Sequence, residues 1–435
     1  MSKSPRQLAV QALAEVLPAE GGGRSLREVL ARPRGELSAG DRGLFVDLCY
    51  GVCRHRRLLD HWLSAQLQKP LRASAQPVRL ALWCALYELW FSARPAHAVV
   101  NAYPDLMRQL KAPWAAGLAN ALLRKATRED INALQASLPT AVAQSLPDWL
   151  WQQLQRDWGE QAPALAAASL LPAPLTLRVN RQQHSREQAL LTLAAAGLPA
   201  SASSVAPFAV TLHNAVPVHD IPGFTEGAFS VQDAVAQNPV EWLDMAPQGR
   251  VLDACAAPGG KTGQLLERFP DAEVVALDVD PQRLARVQEN LDRIGLKAQL
   301  QSGDAADPSQ WWDGQLFDAV LLDAPCTATG ILRRQPDVKW HRRASDVPEL
   351  VGLQARMLDA IWPLIRPGGC LVYATCSVLD AENADQMAAF LARTPDARAD
   401  SPGSGGSIGQ QWAPTTQDED RNHDGFYCAR LRKQL

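Results

Sequence analysis

The stretch VLDACAAPGGKT, residues 251–262, constrains the fold more than any other part of the chain. A short apolar run, Val251 and Leu252, ends at Asp253, and small residues then lead through Pro258-Gly259-Gly260 into a helical pattern from Thr262. That order reads as strand, tight loop, helix. Glycines carry no Cβ and a helix N-terminus offers unbonded N–H groups, so backbone at the carboxyl end of a parallel strand can approach a ligand closely. Two phosphate-binding loops are excluded. The first glycine of Gly-x-x-x-x-Gly-Lys would fall on Cys255, and Gly259, Gly260 and Gly263 do not have the spacing of Gly-x-Gly-x-x-Gly. What remains is a cradle for a nucleoside-bearing ligand, with an ordinary βα turn equally open for the loop taken alone.

From Arg250 onward apolar runs at Val274–Leu277, Ala298–Leu300, Ala319–Leu322 and Cys370–Tyr373 alternate with helical periodicity at 262–268, 281–294 and 349–364. This predicts an α/β domain with a doubly wound, Rossmann-like sheet. Gly425–Leu431 reads as a last strand and the Ser/Gly-rich Ser401–Gly409 as a mobile loop. Residues 4–127 instead show apolar positions at helical spacing, such as Leu44, Leu48, Val52 and Leu80, Trp83, Leu86, Trp90, punctuated by prolines. Between the two, a strand at Leu175–Asn180, a helix at Ser185–Ala196 and a strand near Phe208–Leu212 suggest a small α+β module. The expected boundaries are 1–140 for an all-α bundle, 145–235 for the linking module and 236–435 for the sheet domain.

No apolar run reaches the roughly 18 residues of a membrane span, and the start MSKSPRQ lacks a secretory apolar segment, so a cytoplasmic protein with no membrane partner is expected. The eight cysteines show no CxxC pair, which argues against a zinc ribbon or a disulfide framework, and no metal is expected. The net charge of −3 is divided unevenly: residues 1–140 carry +8 and the remainder −11. A basic helical part fits a polyanionic partner, although a solvated basic face is equally compatible. Its clusters are Arg54-His55-Arg56-Arg57 and Arg124, Lys125, Arg128.

Ligands of a doubly wound sheet sit over the carboxyl ends of its strands. Asp278 ends the second strand at the offset where an acid holds ribose hydroxyls, Asp304 follows the third and Asp323 ends the fourth. Each alone would be a cap or turn residue; three in register with the glycine loop point to a nucleoside site. Asp323-Ala-Pro-Cys326 and Ala374-Thr-Cys376-Ser then place a thiol just past each of two strand ends. With no metal-ligand spacing beside them, nucleophilic use of a thiolate is the sharper reading, and two buried structural cysteines the plainer one.

DACAAPGGKT, Asp278 in LDVD, Asp304 in GDA, DAPCTATG, RRQPDVKWHR, YATCSVLDAEN, the lead-in GFTEGAFSVQD and the terminal HDGFYCARLRK together resemble the RNA 5-methylcytosine methyltransferases of the Nop2/Sun type. The likeness runs in order over about residues 145–435. The helical part resembles the NusB-type RNA-binding bundle, and the combination is similar to the family's bacterial branch acting on 16S ribosomal RNA. The resemblance implies S-adenosylmethionine as donor, a monomer, and C5 of cytosine 967 as target. It places the donor against Cys255, Ala256, Ala257, Pro258, Gly259, Gly260, Lys261, Asp278, Asp304 and Asp323. Cys376 becomes the nucleophile at C6, Asp323 the contact to the N3 edge, and Cys326 the group that assists loss of the C5 proton and release of Cys376. Cys326 as attacker, on the pattern of DNA cytosine methyltransferases, stays open on geometry alone. Arg333, Arg334, Lys339 and Arg342 are expected either to grip RNA near a flipped base or to form a solvated run. A non-enzymatic RNA-binding assembly or antitermination factor is the alternative function.

Overall fold

The computed structural model describes residues 3–19, 21–32, 37–403, 407–415 and 421–435. These form two compact units, one of residues 1–171 with 332–344, the other of 172–331 with 345–435.

Among the described residues, the secondary structure of the first unit is all helical. Ser4 caps the helix Pro5–Val16, with Pro5 in the first turn where a missing N–H costs nothing. Ser38 likewise caps the long helix Ala39–Gln66. The helix Gln76–Phe91 is buried almost all round, from Val78 to Glu88, and so forms the centre of the bundle. Glu88 is fully buried, and its charge is matched by Arg6, which donates to both of its oxygens at 2.8 Å. Cys49, Cys53 and Cys84 are core thiols.

Helices Asp148–Trp158 and Ala162–Ala168 fall within it, with Arg57 donating through its N–H to Ser145 and through its guanidinium to Asp148. The basic stretch after Ile331 is also built into it. Arg333 and Lys339 are buried, at 2% and 1% exposure. Lys339 Nζ donates to Arg54 O at 2.8 Å, Trp340 Nε1 to Cys53 O at 2.6 Å, and Asp337 accepts from Leu26 N at 2.9 Å. Burial, with the neighbouring Arg54 charge, lowers the Lys339 pKa to about 7. Arg333 and Lys339 are therefore interior residues and neither a solvated run nor a grip on RNA.

The second unit contains two sheets. The smaller is antiparallel, in the order β2-β3-β1-β4, from β1 (Leu175–Val179), β2 (Ala200–Ala202), β3 (Ala209–Leu212) and β4 (Phe229–Val231). The helix Arg186–Ala195 follows β1 and opens with a Ser185/Gln188 capping box. The larger sheet holds β5 (Arg250–Ala254), β6 (Glu273–Asp278), β7 (Gln299–Ser302), β8 (Phe317–Asp323), β9 (Ile365–Thr375), β10 (Ala397–Ala399), β11 (Gln410–Trp412) and β12 (Phe426–Lys433). Its order is β10-β12-β9-β8-β5-β6-β7, with β11 pairing β12. Strands β5 to β9 are parallel, and β12 runs antiparallel beside β9. Because β5 lies between β6 and β8, the direction of winding reverses there, and such a switch point opens a crevice at the strands' carboxyl ends. Of the loop expected at Ser401–Gly409, residues 404–406 lie outside the described residues. Its described ends are anchored, since Ser401 Oγ accepts from Arg430 N at 2.9 Å and donates to Ile408 O at 2.6 Å.

Candidate active site

The loop after β5 is shaped by its own backbone. Cys255 adopts a left-handed conformation (φ 64°), the Ala257–Pro258 peptide is cis, and Gly259 (φ 97°) caps the helix Gly260–Arg268. A Cβ on Gly259 would lie 3.0 Å from Val287 Cα, so glycine is required there by both torsion and space. Ala256 N donates to Leu277 O at 2.9 Å and Ala257 N to Asp278 Oδ2 at 3.1 Å, which ties the loop to the end of β6. Arg178 of β1 donates to Gly260 O at 2.6 Å while paired at 2.6 Å with the equally buried Glu267. The small sheet thus braces the glycine loop.

A cavity of about 460 Å³ opens over these strand ends. Cys255, Ala257, Asp278, Asp304, Asp323, Cys326 and Cys376 line it, so seven of the residues singled out in the sequence converge. The other five do not form its wall. Ala256 is buried behind the loop, Pro258 is exposed with its carbonyl taken by Asn290, Gly259 packs on Val287, and Gly260 meets Arg178. Lys261 reaches Asp323 instead, Nζ to Oδ2 at 2.6 Å, with Phe426 5.5 Å away. Burial opposes the lysine's charge, but the Asp323 carboxylate outweighs it and the Lys261 pKa is raised.

Behind this pair Asp253 is fully buried, bonded by Thr262 Oγ1 at 2.6 Å through one oxygen only. Burial pushes its pKa up to about 7, with Asp323 adding to the shift. Asp278 is buried; its Oδ1 accepts from Asp280 N and pairs with Arg283 NH1 at 3.4 Å, while Oδ2 accepts from Ala257 N and keeps a second lone pair. Asp304 is exposed at the rim.

The two thiols meet. Cys326, just past β8, and Cys376, just past β9, have their sulfurs 3.5 Å apart. Cys376 is the more exposed, and Cys326 is buried. The contact with Cys376, together with burial, raises the Cys326 pKa well above the usual thiol value. Both cysteines therefore meet at one place on the cavity wall. Among the described residues no group of three or more His, Cys, Asp or Glu side chains is arranged to hold a metal ion, and no helix is long and apolar enough to cross a membrane.

Comparison with known proteins places this arrangement. The family described as 16S rRNA methyltransferase RsmB/F matches residues 240–432 and the NusB family residues 3–128. A ferredoxin-like domain of RsmF/B-like methyltransferases matches residues 146–219. The chain is 44% identical over 432 residues to the ribosomal RNA small subunit methyltransferase B of Pseudomonas putida, covering 99% of this chain and 98% of that one. The protein of the same name from Xylella fastidiosa (strain Temecula1) is 45% identical over 437 residues, covering 99% and 98%. The chain belongs to the 16S rRNA methyltransferase RsmB/F family. Membership makes it a methyltransferase and sets aside the non-enzymatic reading.

The RsmB/F fold is shared with the crystal structure of PH0851, at a TM-score of 0.77 and 23% identity over the full length of both chains. A methyltransferase homologue from Pyrococcus horikoshii is 28% identical at a TM-score of 0.58, covering 68% of this chain and 97% of its own. Several residues of this RsmB/F site gave no sequence signal. Val279, 64% exposed, and Arg283 line the cavity beside Asp278, and Leu353 and Met357 reach it from the helix Asp346–Ile361. The i, i+4 spacing of Leu353 and Met357 marks a shared helix face but not what that face meets. Glu382, fully buried under both cysteine loops, reads in the sequence as one acid among several.

Proposed function

We propose that the chain transfers the methyl group of S-adenosylmethionine to C5 of cytosine 967 in 16S ribosomal RNA, through a covalent bond between Cys376 and C6 of that base. The observation that carries this reading is the 3.5 Å approach of two thiols at the mouth of a strand-end cavity. A single nucleophile would need no such partner.

The cavity suits the donor. Its volume lies in the range of small-molecule sites, and exposed Val279 offers an apolar face beside the Asp278 carboxylate. Asp278 holds the ribose hydroxyls and Asp304 the adenine end, while the 255–261 loop shapes the methionine side. The bound donor supplies a methyl group on a positively charged sulfur.

Cytosine C5 is a poor nucleophile while the ring is aromatic. Addition of the Cys376 thiolate to C6 removes the aromaticity and pushes electron density to C5, which splits one difficult step into two easier ones. Negative charge then builds toward N3, which takes a proton from solvent, and Asp323, held by Lys261, accepts a hydrogen bond from the N3–H so formed. Once C5 carries the methyl group its proton passes to a solvent base, with Cys326, 3.5 Å from Cys376, assisting that loss, and the C6–S bond breaks to restore the ring and the Cys376 thiolate. The difference in exposure supports this division of roles over the reverse.

The NusB-like part, acting in a monomeric cytoplasmic enzyme, contributes RNA affinity through Arg124, Lys125 and Arg128, which are exposed at a helix end. The other cluster is occupied internally. His55 is buried and its pKa is lowered to about 3 by burial, Arg56 stacks on Trp83 and Trp340, and Arg57 pairs with Asp148. Covalent trapping by a 5-fluorocytosine-substituted 16S transcript tests the mechanism. Cys376→Ala abolishes trapping and turnover, whereas Cys326→Ala leaves a stalled covalent complex; the opposite pattern reverses the two roles. Mapping the methylated base in wild-type product tests the target.

A further inference from the structure

The Glu382 carboxylate is fully buried and takes four hydrogen bonds. Oε1 accepts from Thr327 N at 2.8 Å and from Gln354 Nε2 at 3.2 Å. Oε2 accepts from Thr327 Oγ1 at 2.5 Å and from Ser377 Oγ at 2.6 Å. Thr327 directly follows Cys326 and Ser377 directly follows Cys376. One carboxylate thus grips the residue after each thiol. Gln354 extends the grip, because its amide also donates to Pro325 O at 2.9 Å, on the other side of Cys326. Two loops that leave neighbouring strands have no covalent reason to keep a fixed separation. Gly330 N to Cys376 O at 2.9 Å and Val378 N to Thr329 Oγ1 at 3.1 Å tie the loops directly, and a buried carboxylate bonded to both adds a stronger tie, since hydrogen bonds to an ionised acceptor are about twice as strong as neutral ones.

We propose that Glu382 is a positioning residue that holds the Cys376 and Cys326 loops in register, so that the thiol assisting release reaches the base while the other is bonded to it. The proposal rests on the division of roles above. Its consequence is specific: loosening the register slows resolution of the covalent complex more than its formation. Glu382's negative charge also lies close enough to contribute to the raised Cys326 pKa, so its removal makes Cys326 more acidic.

The test uses the full chain, labelled S-adenosylmethionine and an unmodified 16S transcript. Glu382→Gln keeps the volume, with its amide oxygen facing Thr327 N and its NH₂ facing two hydroxyls that can rotate to accept. The expected result is a donor KM within about twofold of wild type, kcat lower by about tenfold or more, and a denaturant-resistant RNA–protein complex that accumulates during turnover. Ser377→Ala removes the tether to one loop and keeps the charge, and it gives the same signature at about threefold. Unchanged turnover in both variants overturns the proposal. So does a joint fall of kcat, donor affinity and thermal midpoint with no accumulated complex, the mark of a merely structural residue. If Glu382→Gln does not fold, Ser377→Ala decides in the same two ways. A wild-type enzyme that forms no complex even with a 5-fluorocytosine transcript refutes the thiol mechanism itself, and the proposal falls with it.

Discussion

Gly330 packs against Gly425 and the Cys376 carbonyl, and replacing it by alanine probes how tightly the two cysteine loops are held. A Cβ there would lie 2.2 Å from Gly425 O, 2.6 Å from Gly425 C and 2.8 Å from Cys376 O. All three are backbone atoms, so no side chain can swing aside. An ordinary carbon–oxygen contact is about 3.3 Å, so the loop must retreat by about 1 Å. The backbone torsion at Gly330 is one that alanine adopts, and the conflict is purely one of space. Retreat strains two hydrogen bonds of 2.9 Å, Gly330 N to Cys376 O and Gly425 N to Gly330 O. At about 1–2 kcal/mol for each buried bond left unmade, Gly330→Ala destabilises the protein by about 2–4 kcal/mol. Moving Cys326 about 1 Å from its place beside Cys376 costs up to about a hundredfold in turnover. Gly352→Ala is the control, because its nearest neighbour is Arg356 NH1 at 3.7 Å and alanine in a helix interior gains about 0.5–1 kcal/mol. Urea denaturation and methyl transfer to a 16S transcript measure the two effects. Turnover within twofold of wild type and stability within about 0.5 kcal/mol would refute the claim that the loops' separation is set this tightly.

Other perturbations follow from buried charges. Arg178→Ala strands Glu267 and costs about 3–5 kcal/mol in urea denaturation, whereas Arg178→Met with Glu267→Leu recovers most of it; equal losses in the single and double variants would show that the pairing is not what matters. Asp253 ionises near its ordinary value of 3.8 when unfolded but near 7 when folded. Its contribution to stability is therefore fully present below the first pKa and is lost as pH rises through the second. Asp253→Asn removes that dependence, so relative to wild type the variant gains about 2–3 kcal/mol between pH 5 and pH 8 in denaturant titrations; a difference unaffected by pH contradicts the assigned burial cost. Charge reversal at Arg124, Lys125 and Arg128 lowers RNA affinity and flattens its dependence on salt in filter binding, while donor binding stays unchanged.

The alternation of apolar runs and helical periods, the glycine loop between Asp253 and Thr262, and the acids and cysteines at strand ends are determined within windows of a few residues. They fix which elements form and, through the rule that ligands gather at a switch point, which ends become the site. Convergence of Cys255, Asp278, Asp304, Asp323, Cys326 and Cys376 on one cavity was legible for that reason. What only the tertiary structure decided concerns partners far apart in the chain. Glu382 meets Thr327 55 positions away and Arg178 meets Gly260 82 positions away. Lys339, whose charge reads as surface, packs against Arg54 at a separation of 285. A charged residue carries the same local signal whether it faces water or a buried partner, and only packing tells which. The loop 251–262 could thus be recognised from its own residues, while the carboxylate holding the two thiols in register became visible only once the strands were side by side.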